Sequence, residues 1–269
     1  GHGGAREGPG PCGRQRHKNG ELIFKDHPVI KFALNDKGFP VDPEYMTSLK
    51  DQIDSLPTEA RSQFYKLTTR DDANDNASRG NRSDYRDFKL FLDNCQIYKF
   101  VPKPKGEDTY SSLYLNLALV NHSCVSNAVA FSLKQVGDED LAVELRAIKN
   151  IGKGEEITHC YFTDVKKFGS IQKKRKTLFK KKLEFDCKCP ACLGQIPSQE
   201  KTLKKLIDVH SKLNPTPSDW KREAGLWSRV VDLTMELKIG HPCEKISALD
   251  SLVGFAHLAR DKDLVKKAM

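Results

Sequence analysis

The chain has 269 residues, 38% of them hydrophobic, and a net charge of +9. That length and apolar content support one large domain, or a domain with a helical extension, and exclude disorder throughout. No window approaches 18 uncharged apolar residues and the opening 20 residues lack an apolar signal core, so neither membrane insertion nor export is expected, and an intracellular protein is the default.

Residues 1–19 are rich in Gly and contain no Leu, Ile, Val or Phe, so no burial offsets the entropy of ordering them; an irregular, disordered start is expected. From Glu21 the β-branched and aromatic content predicts two short strands broken at Pro28. Residues 49–67 are predicted helical, with Leu49, Ile53 and Leu56 before Pro57 and Phe64 and Leu67 after it. A polar loop follows, and residues 84–96 resume a helical pattern with Tyr85, Phe88, Phe91, Leu92 and Cys95 on one face. Residues 113–120 form a buried apolar run, and strands are predicted at 128–133 and 141–147. A turn at 150–154 leads into another short strand. After Gly194 the pattern is helical around Leu203 and Leu206, then Trp227 and Val231, then Leu249 and Leu252, which suggests antiparallel helix pairs. No fixed period repeats clearly enough for a solenoid, and tetratricopeptide-like packing stays open.

Three of the eight cysteines, Cys187, Cys189 and Cys192, crowd into six residues, and in a reducing compartment such a cluster reads as metal ligands. Three thiolates are one short of a closed tetrahedral zinc site. Cys124, in an Asn-His-Ser-Cys turn directly after a buried run, is the best fourth ligand; four reduced cysteines without metal are the alternative. A second feature is the segment Gly152-Lys153-Gly154-Glu155-Glu156-Ile157-Thr158-His159-Cys160-Tyr161, a glycine turn running into a strand that ends at an aromatic hydroxyl. The run from Lys166 to Lys182 holds nine of the 45 Lys and Arg and is either a solvated helix face or a surface for an acidic partner.

Taken in order and spacing, Asn121-His122-Ser123-Cys124, the strand ending at Tyr161 and the thiolate cluster resemble the SET-domain protein lysine methyltransferases. The resemblance covers residues 20–194 and is strongest over 115–192. It implies an α+β protein with a β-rich SET fold and a knot-like core, a zinc-bound post-SET segment and an α-helical C-terminal extension. The expected organisation is an irregular start at 1–19, a SET domain at 20–165, a basic linker and zinc segment at 166–194, and the helical extension at 195–269. By the same resemblance Asn121 and His122 contact S-adenosyl-L-methionine, Tyr161 is the catalytic tyrosine, and Asn127 closes the motif, with Ser126 where relatives usually carry proline.

The subgroup it most resembles is the SET-and-MYND type, whose zinc site joins the cysteine after Asn-His-Ser to Cys-x-Cys-x-x-Cys. That gives Cys124, Cys187, Cys189 and Cys192 as structural zinc ligands. With no cysteine between Leu22 and Asn94 the MYND module is absent from that stretch, which points to the fungal SET-only, histone-lysine methyltransferase-like relatives. Asn94 and Phe185 are further cofactor contacts, Phe185 packing on the adenine, while Leu183 stands where a channel tyrosine is often found. Phe162 reads equally as a wall of the substrate channel or an ordinary core residue.

Gly8 and Gly10 lie at the distance of the family's cofactor-binding Gly-x-Gly, but the residues after them, Pro11 to Arg16, cannot form the apolar strand relatives have there. A shifted reading frame or a genuine loss of the cofactor strand would both give this pattern. The implied partners are a lysine-bearing protein, expected to be histone, and nucleosomal DNA through Lys166 to Lys182; the implied location is nucleus or cytoplasm, with nucleus and chromatin favoured. The rival readings are a SET-fold chromatin scaffold that no longer methylates, resting on the irregular N-terminus, and a zinc-dependent nucleic-acid binder, resting on charge and cysteines.

Overall fold

The computed structural model describes residues 16–34, 44–68, 83–99, 109–132, 142–161, 177, 186–214, 216–238 and 243–268. Strands and helices are mixed, as an α+β chain requires, and they divide into two compact units. The first comprises residues up to Asn121 together with Ala130–Ile157; the second comprises His122–Val129 and the chain from Thr158 onward.

The first unit is built on strands β1 (Leu22–Asp26) and β2 (Ile30–Leu34), which are separated at Pro28 as the sequence predicts. In β2 Ile30, Phe32 and Leu34 are buried while Lys31 and Ala33 are exposed, the two-residue alternation of a strand with one face on a core. That face meets helices α1 (Tyr45–Asp54) and α3 (Ser83–Asn94), where Leu49, Ile53, Leu90 and Phe91 are buried in one cluster with it. Phe32 lies edge-on to Tyr45 and Phe91, with ring centroids 5.7 and 5.3 Å away. The stretch read as helical from 49 to 67 is two helices, because Pro57 adopts an extended conformation (ψ 146°) and α2 (Thr58–Phe64) starts only after it.

After α3 the chain forms β3 (Gln96–Lys99) and β4 (Thr109–Leu113), then a 3-10 turn at Leu117–Leu119, β5 (Asn121–His122), β6 (Ala128–Ser132), β7 (Val143–Ala147) and β8 (Thr158–His159). The pairings are β1-β7-β6, β2-β4-β3 and β5-β8. β2 and β4 are antiparallel with Ile30 opposite Leu113, and β1 and β7 are antiparallel with Asp26 opposite Val143. The apolar run 113–120 therefore resolves into a strand end and a tight turn rather than one element.

The last residues of the irregular start are held by main chain, not by apolar burial. His17 exchanges backbone hydrogen bonds with Ile151 (3.1 and 2.8 Å), and the Gly20 amide donates to the Ala147 carbonyl at 2.8 Å. Gly20 takes φ +84°, which a side chain rarely tolerates.

Among the described residues the second unit contains the turn 122–129, the cysteine segment and helices α4 (Pro197–His210), α5 (Trp220–Glu236), α6 (Cys243–Leu258) and α7 (Lys262–Ala268). Pro opens α4, where its missing N–H costs nothing, and the Asp219 carboxylate accepts from the Arg222 amide at 2.9 Å to cap α5. Leu203, Leu206 and Val209 of α4, Val230 and Val231 of α5, and Ala248, Leu252 and Ala256 of α6 are buried in one cluster with Cys124, Cys187 and Cys192. Phe255 stacks on both Trp220 and Trp227, with centroids 6.0 and 6.2 Å away. No helix among the described residues is long and apolar enough to cross a membrane.

Candidate catalytic and metal site

The approach to the site is fixed by a buried carboxylate. Asp26 Oδ2 accepts from the amides of Asn116 (2.9 Å) and Leu117 (3.0 Å), and Oδ1 accepts from Asn116 Nδ2 (3.3 Å) and the His27 amide (3.1 Å). The carboxylate thus satisfies N–H groups that open the 3-10 turn leading to Val120 and Asn121. Asn121 Nδ2 donates to Glu156 Oε1 at 2.7 Å, which fixes the orientation of its amide and presents Oδ1 as an acceptor.

Glu156 follows a turn that holds itself shut. The Gly152 amide donates to Glu155 Oε2 and the Glu155 amide to the Gly152 carbonyl, both at 3.0 Å, with Gly154 at φ +82°. The paired acids read from the sequence therefore divide their work: Glu155 closes the turn and Glu156 holds Asn121.

In the second unit the Ser123 amide donates to the His159 carbonyl (3.1 Å) and the Asn127 amide to the Thr158 carbonyl (3.3 Å). Asn127, itself buried, accepts from the Thr158 amide at 2.8 Å through Oδ1, so the asparagine that ends the motif pins β8, which stops at His159, two residues short of the Tyr161 at which the sequence predicts its end. Tyr161 is half-buried; its amide donates to His122 Nδ1 at 3.1 Å, and its ring lies 5.1 Å from that of His122 and 4.9 Å from that of His159. His159 is buried and packs against the Tyr161 ring. Burial pushes the His122 imidazole down to about 4, against a rise from the Cys189 thiolate, so the ring is neutral at physiological pH.

The sulfurs of Cys124, Cys187, Cys189 and Cys192 all lie within 4.8 Å of one another, with Cys124 and Cys192 at 3.6 Å. A tetrahedral zinc with Zn–S bonds of about 2.3 Å needs its sulfurs about 3.8 Å apart. The cluster has the number, softness and spacing of ligands for that ion. Without a cation, hydrogen bonds from Cys124, Cys187 and Cys192 hold the Cys189 thiol well below its usual range, while the same network holds Cys124 far above it. Four thiolates cannot share so small a volume unless a divalent charge compensates them. The Leu193 amide on the Cys189 carbonyl (3.0 Å) and the Gly194 amide on the Ala191 carbonyl (3.2 Å) fold the segment around the sulfurs.

The structure thus brings together His122, Tyr161, Cys124, Cys187, Cys189 and Cys192 within one unit. Asn94 ends α3 in the other unit, buried, with Nδ2 donating to the Thr68 and Leu90 carbonyls at 3.0 and 2.8 Å. Gly8, Gly10, Phe162 and Phe185 lie outside the described residues, as do the lysines and arginine of the run 166–182. Sequence reasoning missed Asp26 and the division of labour between Glu155 and Glu156. A lone acid at a strand end gives no signal of a partner 90 residues away, whereas Glu155, three residues after Gly152, is a turn pattern that could have been read.

A family model of the SET domain matches residues 12–162, more than half of the chain, and the chain belongs to that family. It is 31% identical over 144 residues to histone-lysine N-methyltransferase SMYD1 of Homo sapiens, covering 46% of this chain and 28% of the relative. To protein-lysine N-trimethyltransferase SMYD5 of Gallus gallus it is 33% identical over 115 residues, 42% of this chain and 26% of the relative. To protein-lysine N-methyltransferase SMYD4 of Homo sapiens it is 33% identical over 97 residues, 33% of this chain and 11% of the relative. The chain therefore spans less than a third of the length of the curated relatives it matches.

Proposed function

We propose that this protein is an S-adenosyl-L-methionine-dependent protein lysine N-methyltransferase with a structural zinc, acting on histone in the nucleus. The observation that carries the reading is the tyrosine held by His122 beside a four-thiolate cluster, in a chain of the SET family whose relatives are named as lysine methyltransferases. On this reading Asn121, His122 and Asn94, with Phe185, Gly8 and Gly10, hold the cofactor; Phe162 lines the substrate channel; and the SET core carries the knot-like threading of the family. The basic run 166–182 borders the substrate entrance, where it contacts nucleosomal DNA; histone tails are themselves basic and are not drawn by it.

The chemistry follows from charge. When bound, the cofactor supplies a methyl group on a positively charged sulfur. A lysine amine has an ordinary pKa of about 10.4, so it must shed its proton to water before its lone pair can attack. Burial in an apolar channel disfavours the ammonium. With the cofactor bound, Tyr161 would hold the neutral amine toward the methyl group that the sulfonium supplies, the sulfur leaving as the neutral thioether. Its contribution is positioning rather than proton transfer. The cysteine cluster holds zinc as a closed structural site, fixing the segment that leads into α4.

The test is transfer of label from tritiated cofactor to histones by the zinc-loaded chain and by Tyr161→Phe. Loss of about 10²-fold or more is expected from misplacing the reacting amine; equal labelling by both removes the role assigned to Tyr161. The non-methylating scaffold makes the opposite prediction for cofactor binding: calorimetry with the intact chain shows none.

A further inference from the structure

The ring of His122 touches two features at once. The Tyr161 amide is 3.1 Å from Nδ1, and Cys124 Sγ is 3.4 Å from Nε2. A backbone N–H can only donate, so Nδ1 is the unprotonated nitrogen and accepts. A neutral imidazole then carries its proton on Nε2, aimed at the sulfur. In the metal-loaded protein that sulfur is a thiolate, a ready acceptor, and an N–H donor to a ligating sulfur tunes both its charge and its orientation.

We infer that His122 is a positioning residue whose imidazole links the metal ligand Cys124 to the main chain of Tyr161, so that zinc occupancy and the placement of Tyr161 are coupled through one ring. The importance of that coupling for methyl transfer rests on the function proposed above; the coupling itself does not. Because both ring nitrogens are engaged within this unit, any cofactor contact made by His122 comes from its main chain. On the function proposed above, Asn121 would then meet the cofactor through its side chain and His122 through its backbone.

Two amide substitutions separate the arms of the link. His122→Asn places an acceptor near the Nδ1 position but cannot reach the sulfur; His122→Gln places a donor near the Nε2 position and abandons the Tyr161 amide. Zinc affinity is read by chelator competition, and the Tyr161 amide by hydrogen exchange in protein labelled with ¹⁵N-tyrosine. His122→Asn is expected to lose about tenfold in zinc affinity and keep Tyr161 protection, and His122→Gln to lose protection while holding zinc within about twofold. His122→Ala loses both, and if it does not fold the two amides still decide. Unchanged zinc affinity in His122→Asn together with unchanged Tyr161 protection in His122→Gln overturns the assignment. Neither readout needs turnover, so a chain that never methylates but divides in this way refutes the proposed activity and leaves the link standing.

Discussion

The two units bury comparable side chains but close their cores by different means. In the first, Phe32, Leu49, Ile53, Phe64, Leu90 and Phe91 meet by apolar contact alone. In the second, Leu206, Val231 and Leu252 share a cluster with Cys124, Cys187 and Cys192, thiols that need a divalent cation before they can sit together as thiolates. An apolar core needs no ion, whereas a core closed by a metal at one end would depend on that metal. The core with the cysteine cluster is the one that carries His122 and Tyr161.

The largest effect expected from that contrast is metal removal. Both tryptophans, Trp220 and Trp227, lie in the second unit, so tryptophan emission reports on it selectively. Stripping zinc, or replacing Cys192 with Ala, removes binding energy on the order of 10 kcal/mol in a site of this kind. The emission-detected thermal midpoint should fall steeply and recover in the stripped wild type when zinc is returned. A midpoint indifferent to chelator would show that the four thiols pack without an ion.

Next in size is Phe91→Ala. It removes a buried ring in edge contact with Phe32 and should cost about 3–5 kcal/mol in chemical denaturation. Zinc affinity should hardly change, since all four ligands belong to the other unit. A matching loss of zinc would erase the distinction between the two cores.

Asp26→Ala should cost about 2–3 kcal/mol by leaving the amides of Asn116 and Leu117 without their acceptor, and Asp26→Asn less, since one oxygen remains. Denaturant titration of the two variants checks the order. The smallest effect is Ser126→Ala. The Ser126 hydroxyl is buried without a hydrogen-bond partner among the described residues, so its loss should be neutral or stabilise by up to about 1 kcal/mol, read as a small rise in thermal midpoint.

Much of this was legible in the sequence, and the reasons differ from place to place. Pro28 and Pro57 marked real breaks because proline's geometry acts locally. The helices α4, α5 and α6 announced themselves by apolar spacing, while α7 did not, because its seven residues include three lysines and an aspartate and show little apolar pattern. The buried run at 113–120 reads as one element in the sequence, and what divides it is Asp26, whose carboxylate reaches across from β1 to open the turn. Cys124 could be singled out as the fourth member of the cysteine cluster from its odd placement in a turn after a buried run. The linkage through His122 could not, since it depends on an amide 39 residues away that no local pattern reveals.

In the proposed function a zinc-held unit presents Tyr161 for methyl transfer to lysine. The most direct measurement is label transfer from tritiated S-adenosyl-L-methionine to histones by the same preparation before stripping, after stripping, and after zinc is restored. Labelling should disappear with the metal and return with it. Labelling that survives complete stripping, or that the zinc-loaded chain never shows, would contradict that function.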